Sequence, residues 1–325
     1  MMSNVSTMNA DARASRRPRR DVDGILLLDK PEGMSSNRAL QQVKALFNAR
    51  KAGHTGSLDP LATGMLPICL GEATKVAGYL LDSEKLYRVR LVFGLATSTG
   101  DDEGQTVARG VEAVTRSDLD AALLAFRGAS KQVPPMYSAL KVNGQPLYRL
   151  ARAGQVTSRV AREITIHELV IEDFHPAAPV LRVRCSKGTY IRTLVEDIAH
   201  RLGTVAHVAE LRRLAVWPFS GQAMVTLEGL GRVAAESLRA LDSLLLPLDA
   251  ALTALPDLQL GESEAGRIRQ GQALETVAGP ATWHGGLIRL YGPDRRFLGV
   301  GERDAQGRVL PRRLIRAPEA ATGCN

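Results

Sequence analysis

Apolar and polar positions change their period several times along the chain, and each change predicts an element. From Gly24 the run Ile25-Leu26-Leu27-Leu28 is continuously apolar and stops at Lys30-Pro31-Glu32-Gly33, the pattern of a buried strand entering a turn. Ser35 and Ser36 can cap a helix, and Leu40, Val43, Leu46 and Phe47 recur behind them at helical spacing. Met65 to Leu70 reads as a second apolar strand. A helix is predicted over 72–81, with Val76, Tyr79 and Leu80 on one side. Tyr87, Val89, Leu91 and Phe93 then alternate with Arg88 and Arg90, the period of a half-buried strand. The next helix is predicted over 118–127, with Leu119, Leu123 and Phe126 inward and Gly128 as its stop. Residues 162–174 and 180–186 read as strands, and Ile191, Leu194, Val195, Ile198 and Leu202 mark an amphipathic helix closed by Gly203. Residues 221–250 read as a helical connection. Past Leu255-Pro256, short runs at 267–273, 287–291, 297–300 and 309–313, broken by Gly, Pro and Asp, suggest strands of a small barrel.

Between the first helix and the second strand lies Lys51-Ala52-Gly53-His54-Thr55-Gly56-Ser57-Leu58-Asp59-Pro60-Leu61-Ala62-Thr63-Gly64. Pro60 holds Asp59 out of the helical region, and the flanking glycines admit positive φ and close approach. Such a loop can present a carboxylate rigidly as a covalent nucleophile, or it can be a plain turn whose Asp caps an amide. Arg192 falls in the first turn of its helix, where the dipole disfavours a cation, so a carboxylate partner is expected for it. Asp101, Asp102 and Glu103 cluster in a polar loop that lacks the alternation of a calcium site and reads as solvated. From Gln132 to Gly154, prolines, an Asn143-Gly144 turn signal and interleaved Tyr137, Lys141, Tyr148, Arg149 and Arg152 describe an exposed, mobile, basic segment suited to irregular RNA. The two tyrosines fit a small satellite core equally well.

In its order of residues, GHTGSLDPLATG (53–64) resembles the catalytic-loop signature of the TruB family of pseudouridine synthases. Four further strings resemble that family in the same order: LDKPEGMSS (28–36), the K-x-Y of 85–87, PPMYSALKVNGQPLYRLAR (134–152) and KGTYIRTL (187–194), with ELRR at 210–213. The resemblance runs from about Gly24 to Arg316. It implies an α+β pseudouridine-synthase core, a mixed, mostly antiparallel sheet flanked by helices, followed by a small C-terminal PUA-like barrel that binds RNA. The implied domains are a disordered basic tail at 1–23, a catalytic domain at 24–250 with an RNA-binding thumb at about 132–160, a PUA-like domain at 251–316 and a tail at 317–325.

The resemblance also implies roles. Asp59 is the nucleophile, Arg192 its partner, and Tyr87 lies against the target base. His54 fills the space left by the flipped uridine. Lys30 and Pro31 shape the site, although a strand-to-helix turn accounts for them equally. Asp101 stands near Arg192. Tyr190, Leu211, Tyr137 and Lys141 join the substrate side, with a core role compatible for Leu211. The implied activity is isomerisation of uridine 55 in the T-loop of tRNA, by a monomer with no obligate protein partner, no metal and no organic cofactor. Attack at C1′ of the ribose or at C6 of the base are both open, as is the choice of Asp59 or Tyr87 to remove the C5 proton. A silent tRNA-folding protein and a guide-RNA-dependent synthase are the alternatives; the built-in thumb segment favours the stand-alone enzyme.

Composition narrows the picture modestly. A 325-residue chain with 45% apolar and 23% charged residues is ordinary for one large and one small domain. The net charge of +8 suits a polyanion such as the T-arm of tRNA, and it is spread along the chain. Cys69, Cys185 and Cys324 form no CxxC pair and read as reduced thiols of a cytoplasmic protein. No apolar run reaches the ~18 residues of a membrane span, and the start lacks the apolar stretch of a secretory signal.

Overall fold

The structure, a computed structural model, describes residues 18–142, 144–275 and 285–316. The strands of its first half are Gly24–Lys30 (β1), Ala52–His54 (β2), Thr63–Leu70 (β3), Lys85–Phe93 (β4), Leu95–Thr97 (β5), Thr106–Arg109 (β6), Gly128–Gln132 (β7), Lys141–Val142 (β8) and Gln145–Pro146 (β9). Arg162–Asp173 (β10), Val180–Cys185 (β11), Ala206–Val216 (β12) and Val225–Thr226 (β13) follow. The helices among them are Ser36–Leu46 (α1), Ala77–Leu81 (α2), Arg116–Leu124 (α3), Leu147–Arg152 (α4), Ile191–Arg201 (α5), Leu227–Glu236 (α6) and Leu238–Asp242 (α7).

One nine-stranded sheet in the order β13-β1-β3-β12-β4-β11-β10-β7, with β2 added on β3, organises the molecule. Its pairings are antiparallel except β1–β13 and β3–β12, so the sheet is mixed and mostly antiparallel, as the resemblance implies. The alternation read from β4 holds: Tyr87, Val89, Leu91 and Phe93 are buried, and they share a core with Leu194, Val195 and Ile198 of α5. The join of β3 and β12 depends on a glycine. Gly64 has φ +97°, and a Cβ there would meet the Arg213 carbonyl oxygen at 2.2 Å. Only a residue without a side chain lets β12 run beside β3 at this point, and that juxtaposition brings β12 to the Asp59 loop.

Several expectations change. The helix predicted over 72–81 is a 3₁₀ turn, Gly71–Lys75, followed by the short α2. Thr74 turns its hydroxyl back onto the Gly71 carbonyl at 2.8 Å, and Gly78 weakens the remaining turn. The 118–127 helix begins at Arg116 under a Thr115 cap, and Gly128 opens β7 rather than closing the helix. Residues 18–23 belong to the folded body and not to the tail expected at 1–23. Arg20 pairs with Asp242 at 2.6 Å, and Val22 is buried in the main core. The rest of that tail, Asn143 of the turn signal, and residues 317–325 lie outside the described residues.

The C-terminal part contains Asp257–Gln259 (β14), Glu262–Arg269 (α8), Gly286–Tyr291 (β15), Phe297–Arg303 (β16) and Val309–Leu314 (β17), with the strands paired in that order. The strand expected at 267–273 is instead the last three residues of α8, Arg267 to Arg269, followed by a turn. Glu264 reaches back to the Gly261 N–H at 2.9 Å, and Ala265 and Ile268 turn inward onto Leu258, Ile288 and Leu290.

Candidate active site

The Asp59 loop runs from β2 to β3 and is held at nearly every residue. Thr55 donates its N–H to the Pro67 carbonyl at 3.1 Å, and Gly33 donates to the Pro60 carbonyl at 2.9 Å. Ser35 alone caps α1. Ser36 instead turns its hydroxyl onto the loop, donating to the Leu58 carbonyl at 3.0 Å and accepting from the Leu58 N–H at 2.7 Å. Lys30 is fully buried beneath the loop and donates to the carbonyls of Pro31 and Met34, both at 2.7 Å, and of Pro60 at 3.2 Å. Burial lowers its pKa to about 8.

Asp59 meets Arg192 across this loop, Oδ2 to Nη2 at 3.0 Å. The guanidinium is a junction of three segments. Nη1 donates to the Thr99 carbonyl at 2.6 Å and lies 3.6 Å from Asp101 Oδ2. Nη2 donates to the Tyr137 carbonyl at 2.7 Å. Only 5% of the Arg192 side chain is exposed, so its fork is fixed. The Asp59 side chain keeps 39% of its surface open, which leaves it accessible to a substrate. Burial of its surroundings raises the Asp59 pKa, Arg192 opposes that rise, and Asp101 adds to it.

The Asp59–Arg192 pair stands in the wall between two cavities. The smaller, about 370 Å³, is lined by Tyr87, Leu211, Tyr190, Lys85 and Arg213. Its volume suits a single nucleobase with part of its ribose. Burial raises the pKa of the Tyr87 phenol, whose hydroxyl hydrogen-bonds to Arg213. Lys85 is buried, its ammonium bonded to the carbonyls of Leu80, Leu81 and Ser83, and burial lowers its pKa to about 8. The larger cavity, about 800 Å³, is lined by His54, Asp101, Glu103, Tyr137, Tyr148 and Arg152. Burial lowers the His54 pKa, so its ring is neutral at pH 7.

Of the residues expected at the site, Asp59, Arg192, Tyr87, Tyr190, Leu211, His54, Asp101 and Tyr137 line or abut these cavities. Lys30 supports the loop from below, and Pro31 is exposed at the turn above β1's end. Lys141 is exposed on β8 and lines neither cavity. Three residues that sequence reasoning passed over complete the arrangement: Ser36, Lys85 and Arg213. The last was legible. Leu211, Arg213 and Ala215 are buried on alternate positions of β12, so a period of two through ELRR places Arg213 beside Leu211. Among the described residues no group of His, Cys, Asp and Glu has the makings of a metal site.

The Asp59–Arg192 pair thus borders a cavity lined by Tyr87, Tyr190 and Leu211, and comparison with known proteins shows the class of enzyme to which the fold belongs. Residues 44–191 match the model of the TruB family pseudouridylate synthase N-terminal domain, 192–253 the tRNA pseudouridylate synthase B C-terminal domain, and 256–315 the C-terminal model of pseudouridine synthase II TruB. The chain belongs to the TruB family of pseudouridylate synthases. It is 53% identical over 303 residues to a tRNA pseudouridine synthase B of Pseudomonas aeruginosa, covering 93% of this chain and 99% of that one. To the protein of the same name from Sodalis glossinidius it is 51% identical over 313 residues, covering 95% and 99%. A solved structure of a Cbf5-Nop10-Gar1 complex superposes with a TM-score of 0.69 at 25% identity, covering 87% of this chain and 79% of that chain. The archaeal box H/ACA sRNP Nop10-Cbf5 complex gives 0.68 at 22% identity and shares the fold.

Proposed function

We propose that the chain isomerises uridine 55 in the T-loop of tRNA to pseudouridine, with Asp59 as the nucleophile. The observation that carries this reading is the 3.0 Å Asp59–Arg192 pair at the edge of a base-sized cavity containing Tyr87. The uridine leaves its stack and enters the cavity, where Tyr87 and Leu211 hold the ring. Arg192 orients the carboxylate and keeps it ionised against the burial that favours its proton. Asp59 attacks the nucleoside at C1′ or C6, the glycosidic bond breaks, and the uracil turns and rejoins through C5. Asp59 or Tyr87 takes the C5 proton. Displacement at C1′ by a carboxylate follows the logic of a retaining glycosidase, and no step calls for a metal or an organic cofactor.

In this reading the segment at about 132–160 is an RNA-gripping thumb, carrying Lys141 outside the cavity, and 251–316 is a PUA-like RNA-binding module. The protein acts as a cytoplasmic monomer on the T-arm. Its relatives of above 50% identity over nearly full length are named tRNA pseudouridine synthase B, which favours the stand-alone enzyme over a guided one. The test is direct. Incubated alone with an unmodified tRNA transcript, the purified chain should convert one T-loop uridine to pseudouridine, measured by nucleoside digestion and chromatography. Conversion that required added proteins or a guide RNA would overturn the reading.

A further inference from the structure

Arg213 is the largest fully buried side chain of the described residues, 1% exposed. Its Nε donates to the Met65 carbonyl at 2.7 Å and its Nη2 to the Gly56 carbonyl at 2.9 Å. The Tyr87 hydroxyl accepts a third bond. A guanidinium has five N–H donors, so the contacts named leave part of its fork to the cavity it lines. No carboxylate among the described residues forms an ion pair with it. A buried cation without an anion is costly, and three backbone or phenol oxygens do not neutralise it. The other two cations of the cavity wall are already engaged: Arg192 by Asp59 and Asp101, Lys85 by three carbonyls.

The chemistry of the proposed reaction supplies the missing anion. If Asp59 attacks C1′, an O–C1′ bond forms, the C1′–N1 bond breaks, and its electron pair passes to the uracil, spread over N1, O2 and O4. If Asp59 attacks C6, an O–C6 bond forms and the pair of the C5–C6 π bond passes through C4 to O4 as an enolate. Either route puts one negative charge on the uracil ring. We propose that Arg213 is the counter-charge of that ring, its guanidinium stabilising the uracil while it carries negative charge in the cavity of Tyr87 and Leu211. The inference rests on the isomerase reading above. A donor held in place by protein oxygens acts on charge that develops during reaction and needs no reorganisation. The same charge reaches the rest of the site: it pushes down the pKa values of His54, Lys30 and Lys85 alongside burial.

The experiment compares wild type, Arg213→Gln and Arg213→Lys in single-turnover reactions with T-arm RNA. One RNA carries tritium at C5 of uridine. The other carries 5-fluorouridine, whose electron-poor ring holds negative charge better, and its consumption is followed. RNA affinity and thermal unfolding are measured for each protein. Arg213→Gln should slow the uridine reaction by about 100-fold or more at nearly unchanged RNA affinity. Its defect should shrink on the 5-fluorouridine RNA, and Arg213→Lys, which keeps the charge, should recover much of the rate. If Arg213→Gln does not fold, Arg213→Lys carries the same comparison of two RNAs through its smaller defect. Full rate in the Gln variant, or equal losses in both variants that are the same for both RNAs, would assign Arg213 to packing and overturn the proposal. Wild type that neither releases tritium nor consumes 5-fluorouridine would instead overturn the isomerase reading itself.

Discussion

Ser36 holds Leu58 at both of its backbone polar groups, donating to its carbonyl at 3.0 Å and accepting from its N–H at 2.7 Å. The contact joins the start of α1 to the residue immediately before Asp59, across 22 positions of sequence. Two opposed bonds through one oxygen fix the loop against rotation as well as translation. The direction of the Asp59 side chain is therefore set from the first turn of α1, whose Asn37 also lines the larger cavity.

Replacing Ser36 by Ala leaves the Leu58 N–H and carbonyl buried without these partners. The expected loss of stability is about 1–3 kcal/mol, read by denaturant unfolding. The expected loss in single-turnover rate is about tenfold or more, because small misplacements of a nucleophile weigh heavily on rate, with RNA affinity little changed. A variant that kept wild-type rate would show that the loop orients Asp59 without the serine.

Lys30 and Lys85 give the protein an unusual alkaline response. Burial lowers both to about 8, from an ordinary 10.5. Below pH 8 each keeps a proton whose burial works against folding. Between about 8 and 10.5 the unfolded chain holds more protons than the folded one, so stability from these groups rises with pH across that window. Unfolding free energies measured from pH 7 to 10 should rise less steeply in Lys30→Met than in wild type. Parallel curves would mean that Lys30 titrates normally.

Gly64 admits no side chain. Its φ of +97° and the 2.2 Å that would separate a Cβ from the Arg213 carbonyl oxygen act together. Gly64→Ala should lose more than about 2 kcal/mol and, by pushing β12 from β3, reduce turnover as well. Wild-type stability on denaturant titration would contradict the close approach of the two strands.

Local chemistry was the more legible part of the sequence. That Arg192 needs a carboxylate followed from its place in the first turn of a helix, and that the carboxylate is Asp59 followed from the resemblance of the loop and KGTYIRTL to the family; both are carried by a few adjacent residues. The core strands were legible in two ways: β4 by its period of two, because one face is dry, and β1 and β3 by continuous apolar runs, because both faces are buried. The partition of 72–81 into two short turns did not follow, since it depends on where one threonine hydroxyl points. Helix α8 hid for a related reason: Gly271 and the flanking polar residues read as a broken strand, while its start depends on Glu264 reaching back to Gly261. Ser36 looked like one of two equivalent caps. Its contact with Leu58 exists only once the loop has folded back over α1, so nothing local announces it.

The role of Asp59 as nucleophile is tested by release of tritium from C5-labelled T-arm RNA by the purified chain, beside an Asp59→Ala variant whose RNA binding is measured in parallel. Wild type should release tritium and the variant should lose at least several orders of magnitude in rate while binding persists, since removal of a covalent nucleophile removes the pathway. Release that survived in Asp59→Ala, or wild type that bound RNA tightly and released nothing, would contradict that role.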